Sequence, residues 1–316
     1  MLRQNPHNVY EWLNRVKLCE EDTYLTIKTF TEAIQTVDPV KSTGKASKVW
    51  VCFAEFYESY DELQNANLIY HKASQLQFKS IEEVSFIYCN WAEMHIRSNN
   101  IDSALEIMKY ACNKPKSKLK DRDEKSGSLL YNIRAWSLFI DLLENCGTFE
   151  ETKSAYERVL SLKIATPETI LNFTQFLQTN NFYEESFRVY ERAIQMFQWP
   201  HVYDIWINYI SKVIQRLAGS KVERVRHLFN QVLKDCPKDK SRLFLFMFAD
   251  FEENFGLLSH AMAIYDRATK EVDQGEELLQ VFNLYISKAT QFYGIARTRE
   301  VYERAMERME PGQILV

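Results

Sequence analysis

Small and aromatic residues recur along this chain at helical spacing, and the helices they mark recur at a nearly fixed period. A small residue, an aromatic four places on and a small residue three further appear as Ala66/Tyr70/Ala73, Ser186/Tyr190/Ala193 and Ala261/Tyr265/Ala268. Thr298/Tyr302/Ala305, Thr152/Tyr156/Val159 and Ala104/Met108/Ala111 are near variants; Phe30/Ala33 and Val225/Phe229/Val232 are looser ones. Spacings of three and four put such residues on one helix face. The centres at 30, 70, 108, 156, 190, 229, 265 and 302 are 40, 38, 48, 34, 39, 36 and 37 residues apart.

A second series keeps step ahead of the first: Trp12, Trp50, Tyr88, Trp136, Ile170, Trp206, Leu245 and Phe282, each followed three or four places on by another apolar or aromatic residue. This predicts an amphipathic helix A packed on a helix B in each of eight repeats. The punctuation agrees. Pro39, Pro115, Pro167, Pro200, Pro237 and Pro311 fall seven to eleven residues after a helix-B centre, where proline stops a helix. Gly147, Gly219, Gly256 and Gly294 fall eight to ten residues before one, and Asn99-Asn100 and Asn180-Asn181 take that slot in two other repeats. Both residue types tolerate the left-handed conformation that ends helices. One short helix pair cannot bury its own apolar stripe, whereas stacked pairs bury it between neighbours. The expected fold is therefore all-α, a right-handed α-α superhelix (solenoid) of about eight tetratricopeptide-like repeats. They are expected at 6–39, 44–79, 82–113, 130–166, 167–199, 202–237, 241–274 and 277–311, in a single array over 1–316. The polar stretch 114–129, inside the 48-residue gap, reads as a charged inter-repeat loop.

Composition supports helices: Gly (8) and Pro (7) are scarce in 316 residues that are 46% apolar and 14% aromatic. The six cysteines form no C-x-x-C pair and lie near no tight histidine group, which argues against zinc or redox chemistry and for reduced thiols used as small apolar residues. The start has no apolar signal region, and the most apolar run, 243–249, is far shorter than a bilayer span, so neither secretion nor a membrane is expected. Neither H-E-x-x-H nor a Gly-rich phosphate loop occurs, so no metal, cofactor or small-molecule substrate is implied.

Acids recur on helix A as Glu20, Glu58, Glu144 and Glu253. A catalytic pair needs one special place, so recurrence points to a repeated structural job, and no catalysis is expected. The candidate job is a bond to the neighbouring repeat through the helix-B arginines Arg158, Arg192, Arg267 and Arg304. Charge is uneven in one region. Over 211–242 nine basic residues face three acids, a local +6 within a chain of net −4, leaving −10 for the rest. Lys221, Arg224, Arg226, Lys234, Lys238, Lys240 and Arg242 therefore form a candidate patch for RNA or an acidic partner, against the plainer reading of a solvated helix face. The six basic residues over 114–125 offer a weak import signal. The aromatic stripe resembles a base-stacking platform, yet its helical period favours core packing.

Helix A lacks the glycine of a standard tetratricopeptide repeat, and helix B carries Tyr156-Glu-Arg158, Tyr190-Glu-Arg192, Tyr265-Asp-Arg267 and Tyr302-Glu-Arg304. This resembles the half-a-tetratricopeptide (HAT) repeat of RNA-processing scaffolds. The runs at 2–6, 31–39, 164–167 and 183–187, together with Trp199-Pro200, Asp204-Ile-Trp206 and 260–265, are similar to the Syf / XPA-binding-protein family of HAT-repeat pre-mRNA-splicing factors, over essentially the whole chain. The resemblance implies a nuclear, non-catalytic scaffold in the NineTeen-complex part of the spliceosome. Its implied partners are other splicing proteins, including the crooked-neck-like HAT scaffold, with a further link to transcription-coupled DNA repair. It also implies a central fragment of a longer chain. A HAT scaffold of another pathway, such as mRNA 3′-end cleavage, and a solenoid that binds RNA directly remain open alternatives.

Overall fold

The computed structural model describes residues 4–19, 21–113, 131–217, 219–272 and 275–308. Among them are sixteen α-helices and no strand beyond an isolated bridge between Asn8 and Thr43. The chain divides into two compact units, Met1–Ala165 and Thr166–Val316. The expected loop at 114–129, Glu20, Pro115 and Pro311 lie outside the described residues.

The first unit holds four helical hairpins: α1 (Val9–Lys17) with α2 (Thr23–Thr36), α3 (Ser47–Ser59) with α4 (Leu63–Ser74), α5 (Ile81–Arg97) with α6 (Ile101–Asn113), and α7 (Ile133–Cys146) with α8 (Phe149–Ser161). The second holds α9 (Pro167–Thr179) with α10 (Tyr183–Met196), α11 (Tyr203–Leu217) with α12 (Val222–Asp235), α13 (Lys238–Phe255) with α14 (Leu258–Glu271), and α15 (Glu276–Tyr293) with α16 (Ile295–Arg308). In each unit the two helices of every hairpin pack on each other, and successive hairpins pack together. The odd-numbered helices are helix A of their repeats and the even-numbered ones helix B.

Local chemistry sets the helix ends. Asp22 and Asn132 accept backbone N–H groups at the starts of α2 and α7. Thr148 and Glu151 form a reciprocal capping box on α8, and Pro167 opens α9 at its first position. The turn inside the hairpin does not use one conformation. Gly294, Asn99 and Asn181 take positive φ, as expected, and Asp61 joins them without having been foreseen. Gly147 instead keeps a negative φ. It is required for space: a Cβ there would sit 2.7 Å from the Leu143 carbonyl oxygen.

The helix-B motif is the inner face of the stack. Its small positions, such as Ala66, Ala73, Ala104, Ala111, Ser186, Ala193, Ala261 and Ala268, are buried and allow close helix approach. Five of the central rings then meet helix A of the next repeat within their own unit. Phe30 stacks on Phe53 at 4.8 Å, Tyr190 on Tyr209 at 5.1 Å, Phe229 on Phe248 at 4.6 Å and Tyr265 on Tyr285 at 5.8 Å. Tyr70 stacks on Trp91 in the same way at 6.3 Å. Offset rings of this kind add to the burial energy that joins adjacent repeats.

Candidate functional site

The signature residues Trp12, Trp50, Tyr88, Trp136, Trp206, Phe282, Phe30, Tyr70, Tyr156, Tyr190, Phe229 and Tyr265 are all buried; only Tyr302, on the last described helix, is 49% exposed. Their rings are consumed by packing between helices, so they present no stacking surface for a base. Among the described residues, no group of three or more His, Cys, Asp or Glu side chains is placed to hold a metal ion. No helix there is long and apolar enough to cross a membrane. The cysteines are free, and burial pushes the Cys112 thiol up to about 12 and the Cys236 thiol up to about 11, away from the reactive thiolate.

Of the recurring helix-A acids, Glu58 and Glu253 bond across repeats, and their partners are not the helix-B arginines Arg158, Arg267 or Arg304. Arg97, at the end of α5, grips Glu58 of α3 through two hydrogen bonds of 2.6 and 2.7 Å. Lys288 of α15 pairs with Glu253 of α13. Each acid thus joins its own helix A to the next helix A. The arginines work in the other layer. Arg158 donates to Asn113 of the preceding helix B at 2.9 Å, and Arg304 pairs with Asp266 of the helix B before it. Arg267 stays on its own helix with Glu271. The reason is geometric: in Tyr-x-Arg, the arginine lies two residues past the tyrosine, on another side of helix B. From there Arg158 and Arg304 spread over the helix-A rings Trp136 and Tyr285.

What faces the acid is the tyrosine itself. The Tyr156 hydroxyl donates to Glu144 at 2.6 Å and the Tyr265 hydroxyl to Glu253 at 2.8 Å. The antiparallel hairpin brings residues twelve apart together, which gives a rule across all eight repeats. Where helix B carries Tyr70, Tyr156, Tyr190, Tyr265 or Tyr302, the residue twelve before is polar: Glu58, Glu144, Gln178, Glu253 or Thr290. Where it carries Phe30, Met108 or Phe229, that residue is Leu18, Ile96 or Leu217. This pairing was present in the sequence and missed; comparing the two series at fixed offset would have found it.

The basic segment divides in two. Arg226 binds Glu252 of α13 through Nε and Nη2 at 2.6 and 2.7 Å and also reaches Glu223. Burial pushes the Glu252 carboxyl up, but the Arg226 guanidinium and the Leu257 N–H outweigh it, so its net shift is downward. Arg224 lies 3.5 Å from Glu184 and over the Phe187 ring, and Arg242 binds Gln280 at 2.7 Å and Glu277 at 3.3 Å. Lys221, Lys234, Lys238 and Lys240 are exposed, with Lys240 near the Tyr203 ring. Three of the seven candidates thus tie helices together, and four project into solvent.

The succession of helix hairpins agrees with the family comparison. Residues 39–315 match the model described as the pre-mRNA-splicing factor Syf1/CRNKL1 C-terminal HAT repeat, and residues 1–37 match the SYF1 middle HAT repeat. The chain belongs to the Syf1/CRNKL1 HAT-repeat family of pre-mRNA-splicing factors. It is 42% identical over 310 residues to the pre-mRNA-splicing factor syf1 homolog of Drosophila melanogaster, covering 97% of this chain and 35% of that one. Identity to SYF1 of Homo sapiens is also 42% over 310 residues, with 97% and 36% covered. Against cwf3 of Schizosaccharomyces pombe it is 36% over 318 residues, with 99% and 40% covered. The chain therefore spans somewhat over a third of the length of these relatives. Among solved structures, the type IV pilus biogenesis factor PilW matches at a TM-score of 0.35 and 15% identity over 71% of this chain and 93% of its own, a likeness too faint to bear on function.

Proposed function

We propose that this HAT-repeat chain is a non-catalytic protein–protein scaffold acting in pre-mRNA splicing. The observation that carries this is membership of the Syf1/CRNKL1 family along nearly the whole chain, with relatives named as pre-mRNA-splicing factors. The geometry supports the same reading. Acids, tyrosines and arginines at repeated positions are bonded within and between helices in several repeats, which is the behaviour of structural groups and not of a reaction centre. The partners proposed are spliceosomal proteins, with the crooked-neck-like HAT scaffold and other NineTeen-complex members first among them. The proposed location is the nucleus, and a repair role follows only from the family resemblance.

The test is affinity capture of the tagged 316-residue chain from nuclear extract, followed by crosslinking mass spectrometry. Spliceosomal proteins crosslinked to this chain are expected. Recovery of the 3′-end cleavage machinery in their place would move the scaffold to another RNA pathway.

A further inference from the structure

In the second unit, α9, α10 and α11 enclose a groove of about 580 Å³. Its chemistry departs from that of repeats four and seven, which flank it in sequence. Counting from each helix-A centre, the fifth residue on is acidic in repeats two, three, four and seven, as Glu55, Glu93, Asp141 and Asp250. In repeats five and six it is Gln175 and Ser211, and the eighth residue, Glu144 and Glu253 in the flanking repeats four and seven, is Gln178 and Ile214. The acid pair that repeats four and seven carry is thus absent where the groove lies, and α11 adds Lys212 and Arg216 to its wall. No lining residue is acidic. Both cations are exposed without an ion-pair partner among the described residues, and Arg216 rests over the Tyr183 ring at 4.7 Å.

The remaining wall is rich in amides. Gln175 and Gln215 are exposed, and Asn208 spends its NH₂ on the Asp204 carbonyl, which leaves its own oxygen free. Side-chain amides present a donor and an acceptor together, the pair that an extended peptide backbone offers in return. Two cations in an acid-free wall select carboxylates. Single-stranded RNA asks for something else, an open aromatic face for bases and a run of cations for phosphates. Here the half-buried Tyr183 ring already has Arg216 over one face.

We infer that this groove is a docking site for an extended, acidic segment of a partner protein. The inference deepens the scaffold reading and rests on it: the partner is a protein held by charge and backbone pairing. Lys212 and Arg216 receive its carboxylates, while Gln175, Asn208 and Gln215 pair with its main chain.

The test uses the full chain and fluorescence anisotropy with a labelled peptide of alternating glutamate and serine. A glutamine–serine peptide and a single-stranded oligouridine serve as competing probes. The acidic peptide is expected to bind most tightly, and increasingly so at low salt. The double variant Lys212→Glu/Arg216→Glu should weaken it at least about tenfold, while Lys72→Glu/Lys79→Glu on exposed positions of the first unit leaves it within about twofold. If the groove variant melts early, Gln175→Glu, which restores the acid seen in other repeats, should weaken the peptide instead. Equal loss in both double variants, no loss in either groove variant, or tighter binding of oligouridine at the groove overturns the proposal. Capture from nuclear extract separates it from its foundation. Splicing proteins retrieved by a chain that ignores the acidic peptide leave the scaffold and remove the groove. A peptide bound by a chain that retrieves none of them keeps the groove and removes the splicing role.

Discussion

At the residue scale, the Tyr–acid couples and the Arg226–Glu252 pair show how a repeated position acquires a value set by its partner. The Tyr156 hydroxyl spends its proton on Glu144, so Tyr156→Phe should cost about 1 kcal/mol in chemical denaturation. Adding Glu144→Leu should return most of that loss, because repeats one and six already use Phe with Leu at these two positions. Tyr70→Phe should cost less than Tyr156→Phe, since the buried Tyr70 hydroxyl has no hydrogen-bond partner among the described residues. A larger loss at Tyr70 than at Tyr156 would refute the account. The Glu252 carboxyl is 1% exposed and Arg226 supplies its charge partner, so Arg226→Ala strands a buried charge and should cost about 3 kcal/mol. The same pair predicts a pH dependence. The Glu252 pKa in the folded chain lies below its ordinary 4.5, so its contribution is complete above that value and is lost as the pH falls through the lowered one. Thermal melts should show a shallower acid-side loss in Glu252→Gln than in the parent chain; parallel curves would contradict it.

At the element scale, α3 shows what a repeat borrows from its neighbour. Its N-terminal flank, Ala46, offers no capping side chain. The missing acceptor comes from α5: Glu83, only 4% exposed, receives the Ser47 N–H at 3.1 Å from the next repeat. A carboxylate at a helix N-terminus both caps and complements the dipole, so Glu83→Ala should lower the stability of the first unit by about 1–2 kcal/mol, with Ala46→Asp restoring part of it. An unchanged melting midpoint in Glu83→Ala would show that the cap carries no weight. This bond also marks the limit of sequence reading. The helices were legible because small, aromatic and small residues repeat eight times and the punctuation keeps their period. The Glu83 cap joins residues 36 apart in a single place and has no period to reveal it. The assignment of helix-A acids to helix-B arginines failed for a related reason: charge pairing alone does not say which side of a helix faces which neighbour, and Tyr-x-Arg turns the arginine toward the preceding helix B.

At the scale of the whole molecule, charge composition overstated one site and hid another. The +6 segment over 211–242 stood out because it was counted by sequence. In the fold Arg224, Arg226 and Arg242 are shared out to Glu184, Glu223, Glu252, Glu277 and Gln280, and the lysines and Arg216 remain. The groove on α9 to α11 was merged into that count through Lys212 and Arg216, because its distinction is the absence of the acids that repeats four and seven carry, and an absence is invisible to a net-charge count. The division has a measurable consequence for RNA. A single strand bound through n cations gives a salt dependence with a logarithmic slope of about −0.7 per contact. With Lys221, Lys234, Lys238 and Lys240 as the cations of the seven-residue patch that no ion pair engages among the described residues, oligouridine bound to that patch should show a slope no steeper than about −3. Full use of all seven candidates would require about −5, which demands that Arg224, Arg226 and Arg242 abandon the bonds that join their helices. A titration of affinity against salt therefore reads out, in one number, whether those arginines serve the fold or a nucleic acid. A slope near the steeper value, with the melting temperature unchanged on binding, would show that the helix ties are dispensable and that the segment is an RNA site after all.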